Sequence, residues 1–150
     1  MATVKWVGGN STDSSDDGNW STGNKPVTND DVIFDATSDG NNHCVLAAGT
    51  FPEDGGDLNS ITIGSDFTKQ IQTAGTCEIN LEGIITINKP ACIKNTHALK
   101  FDFNAAPSTT VYDGTGSSYS YKPFVVFSSG MTSSVFENVD SRALTTFDFG

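Results

Sequence analysis

Apolar and polar residues alternate in short runs along the chain from residue 58 onward. Residues 60–63, 78–81 and 99–103 are examples, with an apolar side chain at every second position. This period of two is the pattern of a strand with one buried face. Counted with similar runs elsewhere, the pattern predicts about ten to twelve short strands and essentially no helix.

Such a set of strands predicts an all-β fold, either a short β-solenoid or a β-sandwich or jelly roll with an N-terminal Trp/Gly cap. Ile61, Ile79 and Leu99 begin corresponding runs 18 and 20 residues apart, about the length of a small solenoid turn. At 150 residues the chain is predicted to form one all-β domain, with a cap-like segment at 1–35 and a strand body at 36–150.

The first part of the chain has a different composition. Residues 8–31 are rich in Gly, Ser, Asp and Asn, and they lie between an expected strand near residues 3–7 and another near residues 31–34. The only two tryptophans, Trp6 and Trp20, adjoin Gly-rich or Asp/Gly turns. A loop of this length needs an anchor, and we expect Trp20 to fold back onto Trp6 as a lid on the apolar core.

Three short motifs in this stretch carry a resemblance. Trp-x-Gly-Gly at residues 6–9, Asp-Gly-Asn-Trp at 17–20 and Asn-Asp-Asp-Val-Ile-Phe at 29–34 together resemble the opening of β-helical surface proteins, which include autotransporter-type adhesins and phage virion proteins. The resemblance covers residues 4–35. It implies that Trp6 and Trp20 belong to the first turn or cap of a β-solenoid that carries no catalytic residue.

Charge excludes several partners. The formal net charge is -10, with only 8 Lys and Arg and no basic cluster, so a nucleic-acid partner is not expected. The same acidity would repel an anionic membrane, and no apolar run is long enough to span one. With no signal-peptide pattern at residues 1–5, the polar composition favours a virion protein made in the host cytoplasm, with a cell-surface or extracellular protein as the alternative.

The sequence offers few candidate residues for metal binding or thiol chemistry. The acidic stretch at residues 13–19 offers oxygen ligands, but Asn24 stands where a calcium loop of the helix–loop–helix type has a bidentate Glu, so a solvated Asx turn is favoured. Asp30 and Asp31 are read as residues that lead into a strand. Cys44, Cys77 and Cys92 have no Cys-x-x-Cys spacing, and we expect them to be reduced and buried, with no cofactor.

Candidate catalytic residues are also few. Asp102 and Glu78 could form a carboxylate pair for polysaccharide cleavage, but each occupies a polar position of an alternating strand and is expected to face water. His43 adjoins Cys44, and neighbouring residues of a strand point to opposite faces. We therefore predict a protein that is not an enzyme.

Aromatic residues are dense in only one place, around residues 112–127. We predict partner contacts for Tyr119, Tyr121, Phe124 and Phe127, because apolar residues on both faces of one strand imply a second sheet or subunit. The resulting hypothesis is a phage capsid decoration or cement protein that forms a homo-oligomer, such as a trimer, and binds the major capsid protein.

The sequence is also compatible with two alternative functions. One is a carbohydrate- or receptor-binding module of a tail fibre or adhesin, with the Tyr/Phe stretch or Trp20 as a stacking surface. The other, by analogy of fold alone, is a polysaccharide-degrading β-helical enzyme.

Overall fold

The computed structural model describes residues 1–38, 41–88, 92–93, 99–103, 110–112, 124–127, 136–137 and 147–149. Side chains are described up to residue 88 within these ranges, and beyond it for residues 92, 93, 99 and 101.

The described residues form β-strands and two single-turn 3-10 helices, Asp17–Asn19 and Ala36–Ser38, and none of them lies in an α-helix. The strands are β1 (Thr3–Lys5), β2 (Asp31–Phe34), β3 (Cys44–Leu46), β4 (Gly49–Phe51), β5 (Leu58–Ile63), β6 (Ile71–Thr73), β7 (Cys77–Ile87), β8 (Leu99–Phe103), β9 (Thr110–Tyr112), β10 (Phe124–Phe127), β11 (Phe136–Glu137) and β12 (Phe147–Phe149). The chain is therefore an all-β protein, as predicted.

All pairings between these strands are parallel, and they fall into three ladders. The first ladder joins β1, β2, β5, residues 84–87 of β7, β9 and β11. Its register aligns Val4, Val32, Ile61 and Ile85, and all four side chains are buried. A column of equivalent apolar residues therefore runs across the ladder.

The second ladder joins β4, residues 77–81 of β7, β8, β10 and β12. It aligns the buried side chains of Phe51, Ile79 and Phe101. The third ladder is smaller, with β3 beside β6 and a bridge from Ile71 to Ile93. The buried side chains of all three ladders belong to one apolar core.

Strand β7 belongs to two ladders because its register shifts partway along. Leu58 aligns with Leu81, whereas Ser60 aligns with Ile84, so β7 carries one extra residue at this point. Such a bulge needs a residue that tolerates close backbone approach. Gly83 fills that role, since a Cβ there would overlap the carbonyl oxygen of Asn59.

The repeat expected from the sequence has the wrong register. Ile61 aligns with Ile85 rather than with Ile79, and Ile79 aligns with Phe101 rather than with Leu99. Period-two alternation identifies the buried face of each strand but carries no information about which strands stack together. The spacing between aligned residues is also uneven, because the loops differ in length.

Candidate functional site

Trp6 and Trp20 are in contact, as expected. Their ring centroids are 5.1 Å apart with the planes at 79°, an edge-to-face arrangement, and the two residues form an antiparallel bridge. Trp6 is 0% exposed and Trp20 is 2% exposed. Trp20 is therefore not a stacking surface for sugars, which corrects that part of the carbohydrate-binding hypothesis.

Trp20 also connects the N-terminal segment to the main core. Its ring lies 6.0 Å from that of Phe51 and 6.2 Å from that of Phe34, which in turn lies 5.5 Å from Phe67. Aromatic pairs at these distances add to the free energy of simple burial. The pair of tryptophans is thus continuous with the core beneath the first two ladders.

Both indole N–H groups have partners. Trp20 Nε1 donates to the Ser14 carbonyl oxygen at 2.8 Å, and Trp6 Nε1 donates to the Asn42 carbonyl oxygen at 3.1 Å. Asn42 returns two hydrogen bonds to the carbonyl oxygen of Gly8. Gly8 has φ +68°, and a Cβ there would lie 2.7 Å from the Asn42 oxygen, so this turn requires glycine.

The outer edge of β1 is covered by residues 19–21. Lys5 N donates to Ser21 Oγ at 2.9 Å, and Ser21 N donates to the Lys5 carbonyl oxygen at 2.9 Å. The amides of Val7 and Gly8 donate to the Asn19 carbonyl oxygen at 2.8 and 3.0 Å. We call residues 19–21 the edge segment, because it occupies backbone groups that an edge strand would otherwise expose.

The buried side chain of Asn19 anchors the edge segment through four hydrogen bonds. Its side chain is 0% exposed; Oδ1 accepts from the amides of Asn10 and Ser11, and Nδ2 donates to Ser11 Oγ and the Asp13 carbonyl oxygen, all at 2.8–2.9 Å. The hydrogen-bonding capacity of the amide is therefore fully used. Sequence reasoning missed this residue, and its position between Gly18 and Trp20 is the only signal that points to it.

The acidic stretch forms the expected Asx turns. Asp13 Oδ1 accepts from Ser15 N at 2.9 Å, and Asp16 Oδ1 accepts from Gly18 N at 3.0 Å and caps the first 3-10 helix. Carboxylates bonded to their own backbone in this way stabilise the turn. Among the described residues, no group of three or more His, Cys, Asp or Glu is arranged to hold a metal ion.

Other acidic side chains join distant parts of the chain. Asp30 is buried and accepts from Ala2 N at 2.7 Å and Val27 N at 3.1 Å, which fixes the start of β1. Glu53 accepts from Ser15 Oγ and, at 2.7 Å, from Lys25 Nζ. This hydrogen bond raises the pKa of Lys25.

Among the candidate catalytic residues with described side chains, His43 and Cys44 do not form a relay. His43 is exposed and its Nδ1 accepts from Gln70 N at 3.1 Å, whereas Cys44 is fully buried on the other face, as predicted. Burial raises the pKa of Cys44 well above its ordinary value, which disfavours the thiolate. Glu78 aligns with Lys100 on β8, and the Asp102 side chain lies outside the described residues.

Cys44, Cys77 and Cys92 are buried, and none of the three forms a disulfide bond within the described part of the chain. The predicted partner-contact residues Tyr119 and Tyr121 lie outside the described residues. Phe124 and Phe127 lie on β10, where their backbones pair with Lys100 and Phe103, but their side chains are likewise outside the described part.

The core contains a cavity of about 10 Å³ between the ladders, lined by apolar side chains that include Phe34, Ile79 and Phe101. This is room for about one water molecule, and a cavity with apolar walls stays dry. It offers no space for a substrate.

Comparison of the chain with protein-family models, with curated proteins and with solved structures finds no match in any of the three. No helix within the described ranges is both long and apolar enough to cross a membrane.

Proposed function

We propose that the chain is a non-enzymatic structural protein, a short β-solenoid with an N-terminal cap formed by Trp6, Trp20 and the edge segment. The observation that carries the proposal is the set of hydrogen bonds by which residues 19–21 cover the outer edge of β1 at Lys5 and the chain that follows at Val7 and Gly8. Three parallel ladders support a solenoid over a sandwich or jelly roll, since those folds are built from antiparallel strands.

The hydrogen bonds around the cap support a structural role. Asp13, Asp16, Asp30 and Glu53 all accept hydrogen bonds that fix turns or join loops. Both tryptophans are buried, which favours a structural use of these rings over ligand stacking.

The biological setting that we propose is a virion surface, where the protein acts as a capsid decoration or cement protein. It would self-associate, for example as a trimer, and bind the major capsid protein through the aromatic stretch that contains Tyr119 and Tyr121. The resemblance of residues 4–35 to phage virion and adhesin openings supports this setting, and so does the acidic composition, which keeps the outer surface hydrated.

Light scattering and co-sedimentation test this function. The chain is measured alone and then with capsid shells stripped of their outer proteins, and we expect a stable oligomer that sediments with the shells. A Tyr119→Ser/Tyr121→Ser double variant should lose shell binding, whereas Ser117→Ala/Ser118→Ala should retain it. A monomer that does not bind shells would overturn the proposal, and glycan-array binding would then test the alternative role.

A further inference from the structure

Among the residues whose side chains are described, Asp30 is a buried carboxylate that belongs to neither of the ion pairs. It is 5% exposed. Its two oxygens accept hydrogen bonds from the backbone amides of Ala2 at 2.7 Å and Val27 at 3.1 Å. A buried negative charge is costly unless a positive group lies beside it. The surroundings of Asp30 therefore favour the addition of a cation.

The shorter of these two hydrogen bonds comes from Ala2, the residue that follows the exposed Met1. Met1 is 84% exposed, whereas Ala2 is held at both of its backbone polar groups. Its N–H donates to Asp30 Oδ1, and its carbonyl oxygen accepts from the Asp31 amide at 2.8 Å. Because neither hydrogen bond involves Met1, the Ala2 nitrogen should stay beside Asp30 after Met1 is removed.

We propose that the Met1–Ala2 peptide bond is a processing site, and that its hydrolysis places an α-ammonium group in an ion pair with Asp30. Water adds across the bond, so that Met1 leaves as free methionine with a new carboxylate and the Ala2 nitrogen becomes an ammonium group. A methionine aminopeptidase is the class of enzyme that performs this step ahead of a small residue. Since an α-amino group is mostly charged at neutral pH, the hydrogen bond to Asp30 becomes charge-assisted.

Two matched chains test the ion pair. One begins at Met1 and the other at Ala2, and each is released from a fusion protein by a protease that leaves no extra residue. At about pH 7 the chain that begins at Ala2 should melt about 1–4 °C higher, because a partly exposed ion pair contributes modestly to stability. This gain should disappear in Asp30→Asn. It should remain in Asp31→Asn, which makes the same change at the neighbouring residue.

Two further measurements separate the effect of the charge from the loss of Met1 itself. The gain should vanish at about pH 10.5, where an α-amino group is uncharged. A chain with an acetyl group on the Ala2 nitrogen keeps the hydrogen bond to Asp30 but has no charge there, so it should melt with the chain that begins at Met1. This acetylated chain also replaces Asp30→Asn if that variant does not fold.

Mass spectrometry tests the processing step. The full chain, expressed together with a methionine aminopeptidase, should lack Met1, and a chain that keeps Met1 overturns the proposal. The ion pair is overturned if the chain that begins at Ala2 melts no higher than the chain that begins at Met1 at about pH 7, or if acetylation leaves the gain unchanged. Capsid-shell binding is measured separately and does not enter this test.

Discussion

The indole ring of Trp6 meets the ring of Trp20 edge-on across 5.1 Å, although the two residues are joined by a loop of polar residues. The loop is ordered because its donors and acceptors bond to one another around Asn19. A polar loop thus acquires a fixed shape from one aromatic contact and one buried amide.

Replacing Trp20 should be among the most damaging changes in the described part of the chain. We expect Trp20→Ala to lower the free energy of unfolding by about 3–5 kcal/mol, because a large buried ring is lost. Trp20→Phe should cost less, about 1–3 kcal/mol, since the ring remains but the Ser14 carbonyl oxygen loses its donor. Urea unfolding measures both, with the exposed Val27→Ala as control. Equal losses for the two Trp20 variants would contradict the contribution of the buried ring, and a Trp20→Phe variant as stable as the wild type would contradict the contribution of the hydrogen bond.

The bulge in β7 predicts a strong difference between two glycines. Gly83→Ala should destabilise the protein by about 1–3 kcal/mol, because its Cβ would overlap the backbone of Asn59. Gly9→Ala should change stability by no more than about 0.5 kcal/mol, since the nearest atoms would lie 3.9 Å from the new Cβ. Thermal unfolding of the two variants in parallel checks this, and similar melting temperatures would show that the bulge tolerates a side chain.

Acid should weaken the two hydrogen bonds that Thr28 donates to the Asp54 carboxylate. Burial alone would raise the pKa of Asp54, but hydrogen bonds from Thr28 and Gly56 outweigh it and hold the pKa below its usual 3.8. The unfolded state therefore binds the proton more tightly, so this stabilisation is complete above the unfolded pKa and is lost as pH falls through the folded pKa.

The Asp54→Asn variant isolates this effect. The stability difference between wild type and Asp54→Asn should be largest at about pH 7 and should shrink as the pH falls below the unfolded pKa and through the lower folded pKa, where the wild-type carboxylate also becomes neutral. Urea unfolding at several pH values measures it. A difference that does not change with pH would mean that the charge of Asp54 contributes nothing.

The buried thiols should not react with thiol reagents while the protein is folded. Burial, followed by the nearby carboxylates of Glu78 and Glu53, raises the pKa of Cys77 to about 12, and Cys44 and Cys92 are also buried. At about pH 8 an aromatic disulfide reagent should react with none of the three until urea is added, because the thiolate is the reactive form. Rapid reaction of one thiol would show that its part of the core opens readily.

The sequence predicts individual strands better than their arrangement. Residues 60–63 and 71–73 alternate half-buried and buried side chains as the pattern indicates, because alternation is a local property. Register is not local: Ile61 lies beside Ile85 only because a bulge at Gly83 shifts β7.

The same distinction applies to the cap. The contact between Trp6 and Trp20 could be predicted because large apolar rings must be buried somewhere. The roles of Asn19, Ser21 and Asp30 could not, since each depends on backbone groups from a distant segment. The local sequence of a Gly- and Ser-rich loop does not show which of its polar residues are buried and which are exposed.

Strand β7 is 11 residues long and is shared by the first and second ladders. Opening residues 77–81 must therefore disturb residues 84–87, so the middle of the molecule should open as one cooperative unit while the end strands fray independently. Under drying, heat or shear, β7 should therefore keep the first and second ladders joined to each other until both of them unfold together.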